Sequence, residues 1–192
     1  MALRGERKDK PSYTILRSIT GGSVAEVHEV YHKVLGCRCV QKTYSTIGLE
    51  DAAACQEPRL LREIKHPNVV EVFEAQYDPD DQHAITFVPL FYEGGSIGDA
   101  LLENYCFSIH HALRLIRQTL DALAFVHTRA ELRYIHRDVK PANILLDGAR
   151  IRAFLGDWGS AAKMAAHGTV AGVQGTRLYM PPEADPLTDA LE

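Results

Sequence analysis

The sequence predicts an α+β fold in two parts, a small strand-rich first half and a mainly helical second half. Three observations carry that prediction. Alternating or β-branched runs recur between Tyr13 and Leu90, with turn signals between them. A single long amphipathic period follows from Ser108. Third, the stretch RYIHRDVKPANILLDG, residues 133–148, sets His136, Arg137, Asp138, Lys140 and Asn143 between Tyr134-Ile135 and Ile144-Leu145-Leu146. A buried ion costs on the order of several kcal/mol unless it is paired. These side chains therefore pair with one another, or they face a cleft and hold something.

YTILRSI and VAEVHEVY read as the first two strands, separated by Gly21-Gly22-Ser23, and GCRCVQKTY, entered at Gly36, as the third. Residues 51–65 have a helical composition interrupted by Pro58. NVVEVFEAQY and HAITFVPL supply two more strands around DPDD. The expected first half is thus a small five-stranded antiparallel sheet with one helix. YEGGSIGDALLEN reads as a Gly-Gly loop entering a short helix. Ser108 then caps a long one, whose Ile109, Leu113, Ile116, Leu120 and Leu123 recur at three- and four-residue steps; that stripe reads as core. ILL and RIRAFL around Asp147-Gly148 predict a hairpin. Residues 157–183, rich in Gly, Ala and Thr, show no sustained period and read as one long loop, a kind that is usually functional or disordered.

Composition narrows the class of function. With 192 residues, 46% hydrophobic and 24% charged, the chain can bury a core. A formal net charge of −4 gives no electrostatic case for nucleic acid or an anionic membrane. No apolar run approaches the roughly twenty residues of a membrane helix. MALRGERKDKPS lacks the apolar stretch of a signal peptide, so a cytoplasmic location is expected. Cys37, Cys39, Cys55 and Cys106 have neither zinc-ligand nor disulfide spacing. Strand alternation points Cys37 and Cys39 to one sheet face, and reduced thiols suit a cytosolic protein.

The form H-R-D-x-K-x-x-N at 136–143, followed by Asp157-Trp158-Gly159, resembles the catalytic core of eukaryotic-type protein kinases of the serine/threonine class. The resemblance runs from about Tyr13 to Glu183. It implies a tail at 1–12, a strand-rich lobe at 13–90, a partial helical lobe at 91–183 and a tail at 184–192, with ATP and Mg²⁺ as cofactors. By that resemblance Asp138 orients the attacking hydroxyl and accepts its proton, and Lys140 offsets charge on the γ-phosphate. Asn143 and Asp157 offer hard oxygen ligands to Mg²⁺. Arg137 is the loop's cation, available to a phosphate on the long segment. Cys39-Val40-Gln41-Lys42 resembles the third-strand V-A-I-K pattern, with Lys42 as the α/β-phosphate lysine. QEPRLLREIKHPNVVEV resembles the helix and strand that follow, with Glu57 as the pairing glutamate. Gly175-Thr176 and Met180-Pro181-Pro182-Glu183 resemble the end of the activation segment.

Three positions depart from the family pattern. In the register of G-x-G-x-x-G-x-V that ends at Val27, only Gly22 keeps its glycine, with Gly21 adding local freedom. Trp158 stands where Phe is usual. Pro58 directly follows Glu57, so the regular helix is expected to begin near Pro58, with Glu57 at its edge and the Lys42–Glu57 pair loosely set. Lys140-Pro141-Ala142 resembles serine/threonine-specific members, which implies a protein substrate and places Thr176 against Asp138 and Lys140. Thr169 is the first candidate for phosphorylation and Ser160 the second. The alternative is a catalytically weak fragment or pseudokinase acting as a nucleotide-binding or interaction module. ADPLTDALE after Glu183 is too short to pack another helical layer. The apolar stripe is therefore expected to lack part of its cover, which a partner chain or self-association would supply.

Overall fold

Period-two alternation builds the first of two compact units, which comprises Met1–Arg62 and Glu71–Phe91. The computed structural model describes residues 13–19, 25–45, 56–78, 83–88, 91–129, 131–165 and 172–184. Strands β1 (Tyr13–Ile19), β2 (Ala25–His32), β3 (Cys37–Ser45), β4 (Glu74–Asp78) and β5 (His83–Val88) form one antiparallel sheet in the order β1-β2-β3-β5-β4. Gly36 closes the β2–β3 turn at φ +65°, where a side chain would be strained, and its N–H donates to the His32 carbonyl at 2.8 Å. Val30 and Cys39 make a small core on one sheet face, with Tyr13, Leu35 and Cys37 packed against it. Cys37 and Cys39 do share that face, with Sγ atoms 3.8 Å apart. Among the described residues no group of three or more His, Cys, Asp or Glu side chains could hold a metal ion.

Two expectations for this half need correction. The fourth strand begins at Glu74 rather than Asn68. Val69 instead bridges Leu155 in parallel: Val70 N–H donates to the Leu155 carbonyl at 3.1 Å, and Leu155 N–H to the Asn68 carbonyl at 2.8 Å. That places Glu63–Val70 with the second unit, alongside Tyr92–Glu192. The helix, α1, runs Gln56–Glu63, so it starts before Pro58 and takes Glu57 into its first turn. First-turn N–H groups have no intrahelical acceptor, so a proline there removes no hydrogen bond.

Among its described residues the second unit holds two α-helices, four 3-10 turns and two short β pairs. Ser96 caps α2 (Ile97–Leu102) with a full capping box: Ser96 Oγ accepts from Asp99 N–H at 3.0 Å, and Asp99 Oδ2 accepts from Ser96 N–H at 2.8 Å. Ser108 Oγ accepts from His111 N–H at the start of α3 (Ile109–Thr128). The buried face of α3 is Leu115, Thr119, Ala122 and Val126. The stripe is not the core it resembles but open, in line with its expected lack of cover: Ile109, Leu113, Ile116 and Leu120 are 67, 56, 52 and 58% exposed. The helix carries two apolar periods, and among the described residues only the one through Leu115 is buried. Leu115 packs with Leu146 and Ala153, flanked by Ile97, Phe107 and Ile144. β6 (Tyr134–Ile135) pairs with β9 (Ala162–Lys163), a strand inside the long segment that was expected to have none. β7 (Ile144–Leu146) pairs with β8 (Ala153–Leu155). Their turn is wider than the expected Asp147-Gly148, because Asp147 Oδ1 draws in the N–H groups of both Ile151 and Arg152. Among the described residues no helix is long and apolar enough to cross a membrane.

Candidate active site

The two units carry separate clusters of the residues singled out in the sequence. In the first unit, strand alternation puts Lys42 and Tyr44 on the same face of β3. Lys42 Nζ donates to both carboxylate oxygens of Glu57, at 3.2 and 3.1 Å, so the proline beside Glu57 does not prevent the pair. The Tyr44 hydroxyl also donates to Glu57 Oε2. Glu57 and Tyr44 are both buried, while Lys42 is partly exposed. Val27 lies directly opposite Lys42 in the β2–β3 ladder. Gly21, Gly22 and Thr169 lie outside the described residues.

In the second unit, the chain between β6 and β7 is shaped from inside. His136 is buried; its Nδ1 accepts from Asp138 N–H at 3.3 Å, so Nε2 carries the proton and donates to the Gly156 carbonyl at 2.9 Å. Its ring meets buried Trp158 edge-on, with centroids 4.6 Å apart. This anchors the loop and holds the backbone at Asp138, whose side chain is buried. Arg137 takes the left-handed region at φ 65°, which sends its side chain toward the long segment. There Nε donates to the Ser160 carbonyl at 2.7 Å, and the two terminal nitrogens to the Gly172 carbonyl at 3.4 Å and Gln174 Oε1 at 2.8 Å.

Asp138 is the centre of this cluster. Its Oδ2 accepts from Lys140 Nζ at 2.8 Å and Asn143 Nδ2 at 3.0 Å. Its Oδ1 accepts from Thr176 N–H at 2.8 Å and the Thr176 hydroxyl at 2.7 Å. Lys140 Nζ donates to Thr176 Oγ1 at 2.6 Å, closing the ring. Burial works against the charged carboxylate, but the hydrogen bonds from Lys140 and Thr176, the Lys140 charge and Asn143 outweigh it. The Asp138 carboxyl is held below the usual range. The Asn143 backbone carbonyl accepts from Gly156 N–H at 2.9 Å, one step beyond the β7–β8 ladder, which brings Asn143 beside the Gly156-Asp157 pair. Asp157 is exposed and left-handed, at φ 56°.

The placing of Thr176 depends on one glycine. Gly175 sits at φ +121°, and a Cβ there would fall 2.2 Å from the Arg137 carbonyl oxygen. Gly175→Ala is expected to push the 175–176 backbone away and strip Thr176 from Asp138, at about 1–3 kcal/mol of strain. A lower melting midpoint checks this, and an unchanged one would refute it.

Sequence reasoning missed two participants. Tyr44 was legible in principle, since it lies two residues beyond Lys42 in a strand. Gln174 carried no signal, because its role depends on where the segment folds back to Arg137.

The protein kinase domain family model matches residues 13–185. The chain belongs to that family. Within it, the chain is 32% identical over 162 residues to calcium/calmodulin-dependent protein kinase type 1 of Macrobrachium nipponense, covering 83% of this chain and 44% of that protein. It is 31% identical over 182 residues to serine/threonine-protein kinase Nek2 of Homo sapiens, covering 89% and 40%. It is 29% identical over 175 residues to serine/threonine-protein kinase TIO of Arabidopsis thaliana, covering 89% and 13%. This kinase-family chain therefore spans less than half the length of each of these relatives.

Proposed function

We propose that the protein transfers the γ-phosphate of ATP to serine or threonine hydroxyls of a protein substrate. The observation that supports this most is the hydroxyl carried by Asp138. Thr176 Oγ1 donates to Asp138 Oδ1 while accepting from Lys140 Nζ. A substrate hydroxyl presented in the same way has an acceptor for its proton and a cation beside the phosphoryl group it attacks. The substrate oxygen forms its bond to the γ-phosphorus as the bond to the β-phosphate oxygen breaks. The proton passes to Asp138, and ADP leaves. Lys42 holds the α- and β-phosphates, Glu57 fixes Lys42, and Val27 lines the nucleotide; the family resemblance alone gives Gly21 and Gly22 a part in the phosphate loop. Arg137 ties the catalytic loop to the long segment, and phosphorylation at Thr169 would add a charge to that segment.

The donor set fits Mg²⁺. Asn143 Nδ2 is committed to the Asp138 carbonyl and carboxylate, at 2.8 and 3.0 Å, which leaves the amide oxygen as the ligand atom. Asp157 adds an exposed carboxylate two residues beyond β8. Two hard oxygens are what a small, partly hydrated divalent cation takes, and the ion would neutralise phosphate charge when bound. Asp157→Ala is expected to abolish the Mg²⁺-dependent part of the thermal shift given by ATP. Equal shifts in wild type and variant would show the metal assignment to be wrong.

The test of the main reading is phosphate incorporation from labelled ATP into generic basic and acidic proteins, with the modified residues located by mass spectrometry. Phosphoserine and phosphothreonine are expected; phosphotyrosine as the main product would overturn the reading of Lys140. The exposed face of α3 favours a second reading, an interaction module with weak catalysis. Absence of any Asp138-dependent transfer would select it.

A further inference from the structure

We infer that Tyr44 is a positioning residue for nucleotide phosphates, acting through Glu57 on Lys42. The inference rests on the proposed role of Lys42 and concerns what holds that lysine in place. A lysine ammonium is a compact charge on a flexible stem, and a single ionic contact leaves it many orientations. Glu57 can fix it only if its own carboxylate is fixed. Glu57 stands in the first turn of α1, immediately before Pro58, where the helix backbone gives the least constraint.

Tyr44 supplies what the helix start does not. It follows Lys42 by two residues on the same face of β3, so one strand sends two donors to one carboxylate. Lys42 Nζ spans both oxygens at 3.2 and 3.1 Å, and the Tyr44 hydroxyl adds a second donor at Oε2. Two donors at alternate positions of one strand, on the same face, together define the rotation of the carboxylate plane. The Lys42 ammonium also lies 5.8 Å from the centroid of the Tyr44 ring, so the same side chain meets both members of the pair. Burial, reinforced by the Glu57 charge, pushes the Tyr44 phenol far above its ordinary range. The hydroxyl therefore keeps its proton and remains a donor throughout the working range of pH.

A core aromatic whose hydroxyl merely found an acceptor would affect stability alone. The two cases separate on Tyr44→Phe, which keeps the ring and deletes the donor. The experiment compares binding of ATP and of adenosine, by calorimetry, in wild type, Tyr44→Phe, Glu57→Gln and the double variant. ATP affinity is expected to fall roughly tenfold in Tyr44→Phe, the size that loss of one hydrogen bond to a charged group gives, with adenosine unchanged. Adding Tyr44→Phe to Glu57→Gln should cost little more, because the path runs through Glu57. An unaltered ATP-to-adenosine ratio overturns the inference, and so does an equal loss of both ligands with a lowered melting midpoint. If wild type itself fails to prefer ATP over adenosine, the fault lies with Lys42 as phosphate ligand and the kinase reading falls first. Should Tyr44→Phe prove too unstable to measure, Tyr44→Met fills the site with a flexible apolar chain and must show the same selective loss of ATP.

Discussion

Asp138→Asn is expected to lower turnover by about two to four orders of magnitude, the range that positioned proton acceptors contribute. The variant keeps the shape of the side chain but not its hydrogen-bonding sense. Every partner of this carboxylate is a donor: Lys140 and Asn143 at Oδ2, the Thr176 N–H and hydroxyl at Oδ1. An amide must turn its NH₂ toward one of those pairs, so a donor faces donors whichever way it flips. That costs about 1–3 kcal/mol, and a melting midpoint lower by several degrees should accompany the kinetic loss. The transition should stay cooperative. The acid limb should change too. The folded carboxyl lies below its unfolded value, so its contribution is complete above about pH 4 and fades as pH falls through the folded value. Asp138→Asn lacks that titration, and its stability should decline less steeply in acid. Transfer within tenfold of wild type would remove Asp138 from the chemistry.

Trp158→Ala should be the most destabilising single change in the second unit. Trp158 is fully buried, its indole N–H donates to the Leu155 carbonyl at 3.1 Å, and its ring supports His136. Truncation of a large buried aromatic costs about 3–5 kcal/mol, against a typical total of about 5–15 kcal/mol. Trp158→Phe should be far milder, near 1 kcal/mol, because the Leu155 carbonyl still accepts from Val70 N–H at 3.1 Å. Denaturant midpoints measure both. Equal costs for alanine and phenylalanine would mean that the ring does not carry the packing described. The alanine variant should also release His136, and with it the backbone that aims Asp138.

The parts of the fold legible in the sequence were those fixed by local rules. β1, β2, β3 and β5 followed alternation, and Ser108 marked a helix start because capping is decided within one turn. The candidate site residues Asp138, Lys140 and Asn143 share one short motif, and their side chains meet in the structure. What failed depended on distant partners. Asn68–Val70 look like a strand of the first sheet but bond to Leu155, whose position no local rule gives. In α3 the period through Ile109 and the period through Leu115 are both apolar, and only the surroundings choose the second. Pro58 argued for a later helix start; the observed start cost nothing because the first turn has no hydrogen bonds to lose.

The bond between Asn68–Val70 and Leu155 has a consequence for how the protein is made. During synthesis the earlier segment leaves the ribosome long before its acceptor and donor on β8 have been translated. Its backbone groups must wait, solvated, while α2, α3 and the 136–143 loop are added. The second unit thus closes only when residues near 155 emerge, and it closes around a piece of chain from its distant past. A protease cutting between Phe91 and Tyr92 would not free that unit, because Glu63–Val70 would remain covalently attached to the other fragment. The two pieces should stay together after the cut and part only on denaturation.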